Sequence, residues 1–368
     1  MMNELNSKNP ARHCTLFPVD IRFPVDIRRG ILRAIPLICL LFLANCNSST
    51  VKDAVDLVEG VDRKTIDVSV LGVNAFANDP RFGSIPSQFQ EVRNTLGIRH
   101  VRVLVGWDNN VQPSPGSAPN FSFYDAVLDG IPAGVDALVI ITGLPSWMGD
   151  SSNWTNGSAR ETFHERWVRR VVNRYRNHAR VVGFQIWNEP NMPDNPENGI
   201  MEFLSSAENY VEVLVRAANH IEANAPGKLV VNAATTAINQ NFPSTLDYNR
   251  AMRDAGAFEL VDIYAIHYYG KQYENLVRKG GVADFLNSVP HPIWVTESGA
   301  QGVSAQLAYG EEVWPFLQEK ISGLSRIYIY QFTEGTTPDV TYGLRNPNST
   351  SSLSDLYIHL QERANGSR

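Results

Sequence analysis

The chain has 368 residues, 43% of them hydrophobic and 19% charged, with a formal net charge of −6. This composition excludes a disordered chain, a collagen and a coiled coil, and the acidic balance offers no basic footprint for nucleic acid. The three cysteines, Cys14, Cys39 and Cys46, all lie in the first 46 residues, so a disulfide scaffold, a cysteine-ligated metal and a cysteine nucleophile are excluded from the body that follows.

At the N-terminus, Arg22, Arg28, Arg29 and Arg33 precede an apolar run from Ala34 to Ala44. A charged segment followed by a short apolar one is the pattern of a secretory signal. The run falls short of the roughly 20 residues a membrane-spanning helix needs. FPVDIR occurs twice in tandem at 17–22 and 23–28, and nothing in the sequence explains it. Leu43-Ala44-Asn45-Cys46 resembles a bacterial lipoprotein box, which implies cleavage before Cys46 and lipid on its sulfur. Residues 1–46 are thus expected to be a lipoprotein-like signal peptide and 47–65 a polar linker, on a protein exported to the cell envelope or secreted. The membrane would be met only through that lipid.

From residue 66 onward, short apolar runs alternate with helical patterns. The runs are 68–75, 100–105, 137–142, 182–187, 229–234, 262–267, 292–296 and 326–332. Each is almost continuously apolar, as strands covered on both faces are. Helical spacing of apolar residues fills the gaps, at Phe163 to His178, Tyr210 to Ala223 and Glu311 to Ile321, and a closing helix is predicted at Leu353 to Glu362. Eight such units predict a single α/β domain, a (β/α)8 barrel over 66–365, with its chemistry at the C-terminal tips of the strands. The polar residues at those tips are Asn74, Arg102, Asn188, Glu189, His267, Tyr269, Glu297 and Gln331.

Two of these are carboxylates that end apolar strands. The fourth run ends Trp187-Asn188-Glu189-Pro190-Asn191 and the seventh ends Trp294-Val295-Thr296-Glu297-Ser298. Cleavage of a glycosidic bond needs one carboxyl group carrying a proton and one ionised, and a close pair leaves no room for water between them. This pattern resembles clan A of the retaining glycoside hydrolases, nearest to families 5 and 39, over about residues 66–365. The resemblance implies that Glu189 is the general acid/base, Glu297 the nucleophile, and Asn188 the residue holding the sugar 2-hydroxyl. Gly97-Ile98-Arg99-His100-Val101-Arg102 is similar to the family 5 second strand, which makes Arg102 the brace of the nucleophile. His267-Tyr268-Tyr269 matches the sixth-strand His-x-Tyr, in which the tyrosine bonds the nucleophile and His267 braces the site.

Aromatic rings near strand ends are candidates for stacking on sugar C–H faces: Trp107, Trp147 and Trp154. Trp167 and Trp294 are expected in the core, and Glu334 as a loop carboxylate. The clan usually places a tryptophan at the end of strand eight as the floor of the sugar site. Here that segment is Tyr330-Gln331-Phe332, so the resemblance gives the place to Phe332 or to Tyr330. Nothing has metal-ligand or dinucleotide-binding spacing, so neither a metal nor a cofactor is expected. The reading is a monomeric enzyme acting on a carbohydrate by double displacement. The alternatives are a non-catalytic glycan-binding barrel at the cell surface, or a transglycosylase using the same site.

Overall fold

The structure, a computed structural model, describes residues 60–75, 78–348 and 352–366. The expected signal peptide, the lipid-bearing Cys46 and linker residues 47–59 lie outside the described residues. Each of the eight apolar runs overlaps a strand. They are β1 (Leu71–Asn74), β2 (His100–Gly106), β3 (Asp136–Thr142), β4 (Val181–Ile186), β5 (Leu229–Asn232), β6 (Tyr264–His267), β7 (Ile293–Ser298) and β8 (Leu324–Ile329).

The strands are all parallel, in the order β5-β4-β3-β2-β1-β8-β7-β6. One parallel bridge, Val231 to Ile263, joins β5 to the chain entering β6 and closes the ring. The Asn232 side chain completes this sparse seam. Its Oδ1 accepts from Ala265 N at 2.8 Å and its Nδ2 donates to Ala265 O at 3.1 Å, doing for β6 what a backbone ladder would.

Alternation along each strand separates two cores. On β2, Val101, Val103 and Val105 are wholly buried in the large core under the helices, while Arg102 and Leu104 face the barrel interior. A second core inside the barrel contains Leu138, Val231, Ala234, Ile263, Ala265, Trp294 and Tyr328. Gly72 of β1 lets the Tyr328 ring fill that space, because a Cβ there would lie 2.5 Å from the ring.

The helices match the predicted patterns with shifted ends. The pattern at Phe163 to His178 is an α-helix at Ala159–Phe163, a π turn at His164–Val168 and an α-helix at Arg169–Tyr175. The others are Ala207–Asn224, Gln306–Lys320 and the closing Asp355–Gly366. Helix Ala207–Asn224 starts at Ser206, whose hydroxyl accepts from Glu208 N. It buries Tyr210, Leu214, Ala217 and Ile221 on one face against the strands. Among the described residues no helix is long and apolar enough to cross a membrane.

Candidate active site

Glu297 sits on β7 where the pairing with β8 slips between Val295 and Ser298, an irregularity of the kind that re-aims a side chain. Its carboxylate is nearly buried, at 8% exposure. Arg102 Nη1 donates to Oε1 at 2.7 Å and the Tyr269 hydroxyl donates to Oε2 at 3.0 Å. Burial alone pushes this carboxyl up. The neighbouring His267, the charge and hydrogen bond of Arg102 and the bond from Tyr269 together outweigh it and hold Glu297 below its ordinary value. Burial, and then the charge of Glu297, push the Tyr269 hydroxyl well up, so it is a neutral donor.

Glu189 is presented differently. Three residues past the end of β4, it lies in a tight turn in which Trp187 has φ 73° and Glu189 φ 45°. Such left-handed conformations cost about 1–3 kcal/mol each outside glycine and persist only where the surroundings enforce them. Here the enforcement is visible. The backbone N–H groups of Trp187 and Glu189 donate to Ile141 O and Ala234 O, both at 2.9 Å, pinning the turn to β3 and to the loop after β5. Buried Asn198 accepts from Trp187 Nε1 at 2.9 Å and donates to the carbonyls of Glu189 and Met192 at 2.8 and 2.9 Å.

His267, wholly buried, lies between the two carboxylates. Its Nδ1 is 2.8 Å from Glu189 Oε1 and its Nε2 is 3.5 Å from Glu297 Oε1. One ligand-type atom from each of Glu189, His267 and Glu297 lies within 4.8 Å of the others. The trio has the proximity of a metal site but not its freedom. Both Glu297 oxygens already accept, from Arg102 and Tyr269, and an added cation would meet the charge of the Arg102 guanidinium there. Arg102 Nη2 also donates to Asn188 Oδ1 at 2.9 Å, which leaves the Asn188 NH2 group without a bond to the described protein groups.

The cavity over these groups has a volume of about 260 Å³. Tyr330 and Gln331 give it a polar wall, and Ala75, Leu104 and Ile140 an apolar one. Leu104 is 49% exposed, unusual for a strand leucine, because it points into this opening. A larger cavity, about 520 Å³, lies between the end of helix Ala207–Asn224 and the starts of β5 and β6. It is at the other end of the barrel, and its Lys228 and Asp262 are spent on backbone bonds.

A profile of the family described as Cellulase (glycosyl hydrolase family 5) matches residues 61–328, well over half of the chain. The chain belongs to glycosyl hydrolase family 5. The match agrees with the clan A barrel that the WNEPN string suggested. A curated relative, mannan endo-1,4-beta-mannosidase A of Hypocrea jecorina, is 25% identical over 159 residues. That match spans 35% of this chain and 36% of the relative. Similar solved structures include a family 39 glycoside hydrolase from Bacteroides cellulosilyticus WH2, at 17% identity and a TM-score of 0.54 over 83% of this chain and 65% of that one. A monomeric beta-xylosidase from Caulobacter crescentus CB15 aligns at 16% identity with a TM-score of 0.55, over 83% of this chain and 69% of that one. At these identities the two structures speak for the shared barrel.

The structure brings together Arg102, Asn188, Glu189, His267, Tyr269 and Glu297 in one cluster. Two expectations are corrected. Trp107 is fully buried and does not line the cavity: its ring stacks on Trp167 at 6.0 Å in the core under the helices, and its Nε1 donates to Gln112 Oε1. Phe332 is also fully buried in that core, and Tyr330 is the aromatic that lines the cavity from the end of β8. Trp147 and Trp154 are half-buried at the core's margin. Their indole N–H groups donate to Gln112 O and Met148 O, and neither lines the catalytic cavity. Trp167 and Trp294 are buried. Glu334 accepts from Thr341 Oγ1 and Tyr342 N within its own loop. The sequence reading missed Leu104 and Ile140 on the cavity wall, and Gln185 and Asn198 behind it.

Proposed function

We propose that this family 5 enzyme hydrolyses a β-linked glycan or glycoside with retention of anomeric configuration, with Glu297 as nucleophile and Glu189 as general acid/base. The observation that carries the reading is a carboxylate pair with oxygens within 4.8 Å and unequal partners. Retaining enzymes hold their carboxyl groups about 5–5.5 Å apart, inverting ones farther. Glu297 is held ionised by a guanidinium and a phenol. Among the described residues Glu189 has only His267 as a partner, on Oε1, which leaves Oε2 for the glycosidic oxygen.

A Glu297 oxygen attacks the anomeric carbon and forms a glycosyl ester as the glycosidic C–O bond breaks. The Glu189 proton goes to the departing oxygen. Glu189, now ionised, takes a proton from water, whose oxygen attacks the same carbon and expels Glu297. The Asn188 NH2 group, oriented by Arg102, is the donor for the sugar 2-hydroxyl. Tyr330 and the Gln331 amide face the sugar from the other side.

The test is chemical rescue on the best aryl β-glycoside of a panel. Glu297→Ala and Glu189→Ala should each cost about 10³-fold or more in overall hydrolysis. Azide should restore turnover of Glu297→Ala with an inverted glycosyl azide. For Glu189→Ala it should give the retained azide, since azide attacks the glycosyl-enzyme without a base. Near-wild-type hydrolysis by both variants would reject the pair and favour a glycan-binding barrel. We also propose export with lipid on Cys46, supported by the charged and apolar segments before it. An unmodified Cys46 in the mass spectrum of the mature protein would reject that.

A further inference from the structure

Arg102 is buried, and its guanidinium is shared among four side chains. Nη1 reaches Glu297 Oε1 and Asn74 Oδ1, each at 2.7 Å, and Nη2 reaches Asn188 Oδ1 at 2.9 Å. Those three line the catalytic cavity. The fourth does not: Nε donates at 2.7 Å to Oε1 of Gln185, a fully buried β4 residue beneath the cavity floor. A guanidinium is a rigid planar fork, so fixing Nε fixes the direction of both Nη groups.

The Gln185 amide can adopt only one sense. Its Nε2 donates to Asn232 O at 3.0 Å and lies 3.4 Å from Thr296 Oγ1, so its oxygen must face Arg102. Reversing the amide would set its NH2 against the Arg102 N–H. Asn232 is the residue that closes the β5–β6 seam, so the bond ties the guanidinium to the barrel frame. Gln185 is also uncharged. Among the described residues, the ion-pair partner of Arg102 is Glu297 alone.

We propose that Gln185 is a positioning residue of the active site: it aims the Arg102 guanidinium at Glu297 and Asn188 and, by being neutral, leaves its charge undivided on Glu297. The proposal rests on the reading of Glu297 as the ionised nucleophile. The groups that face Glu297 are Arg102 from β2, Glu189 from beyond β4, His267 and Tyr269 from the end of β6, Tyr330 from the end of β8, and Tyr342 from the loop after it. A change at Gln185 touches none of these but Arg102.

The experiment titrates the full-length protein carrying 13C in its glutamate side-chain carboxyls, with the Glu297 resonance assigned by its loss in Glu297→Gln. Gln185→Glu keeps the acceptor for Arg102 Nε and adds a competing charge. It should move the Glu297 midpoint up by about one pH unit, and shift the acid limb of kcat/KM the same way. Gln185→Met removes the acceptor without adding charge and should move the midpoint less, while lowering kcat. An unmoved Glu297 midpoint in folded Gln185→Glu would overturn the proposal, as would equal shifts in the two variants, which a disturbed cavity alone would produce. Should Gln185→Glu fail to fold, Gln185→Met carries the test: a wild-type midpoint together with wild-type kcat overturns it. The carboxyl titration needs no turnover. A wild type inactive on every glycoside, with the midpoints behaving as stated, would sink the hydrolase mechanism and leave the positioning role standing.

Discussion

At the scale of single residues, Glu297 is the group on which burial and neighbouring charge compete most directly. Burial raises its pKa, and His267, Arg102 and Tyr269 together lower it further than burial raises it. The acid limb of kcat/KM that reports Glu297 is therefore expected below the ordinary carboxylate value of 4.5. By linkage, Glu297 contributes stability that is full above 4.5 and is lost as pH falls through its lowered folded value. An acid limb above 4.5 that disappears in Glu189 variants, not Glu297 variants, would contradict this assignment. Tyr269→Phe removes one donor to the carboxylate and leaves the ring. A hydrogen bond to a charged group is worth about 1.5–3 kcal/mol, so kcat should fall roughly 10- to 100-fold, with the acid limb displaced upward. Steady-state pH profiles of the two proteins check both points.

Strand alternation decided Trp107, one of the residues the sequence misplaced. Arg102 faces inward, so its strand partners two apart do too, and Trp107 falls on the odd, outward phase with Val101, Val103 and Val105. On β8 the count runs from Tyr328 in the inner core to Tyr330 on the cavity, but Phe332 has the same parity; it lies three residues past the end of the strand, where alternation no longer governs, and is buried in the outer core. The signal for Trp107 was present in the sequence. A tryptophan after a strand tip is as good a filler for the helix layer as for a sugar platform, and only the phase separates the two. Gln185 could not be singled out, because its role depends on partners from three other strands.

At the scale of elements, the turn after β4 is the strained part of the site. WNEPN was legible as a motif, whereas the short helix Pro196–Ile200 that supports it was not, since five residues carry no periodicity. Asn198 on that helix makes three bonds that hold Trp187 and Glu189 in left-handed conformations. Asn198→Ala would leave a buried indole N–H and a strained turn without these bonds. The expected loss is about 3 kcal/mol of stability, read as a lower urea midpoint with an unchanged slope. Because the turn aims Glu189, kcat should fall most for substrates with poor leaving groups, which depend on its proton. An equal fall for good and poor leaving groups would show that Asn198 serves stability alone.

At the scale of the whole molecule, the barrel was readable because every strand is buried on both faces and so stands out as an apolar run. The ends of the strands and helices moved by a few residues, as hydrogen bonding rather than apolarity sets them. The closure was not readable: β5 and β6 meet through one bridge and the side chain of Asn232, and no local pattern announces an asparagine that pairs with backbone. The ring of strands is what brings residues 102, 189, 267 and 297 to one point. The most direct measurement is proton NMR of the first product released from an aryl β-glycoside, recorded before mutarotation. Double displacement at Glu297 predicts that the first-formed sugar carries the β configuration of the substrate. An α-configured first product would show single displacement by water and contradict the assignment of Glu297 as nucleophile.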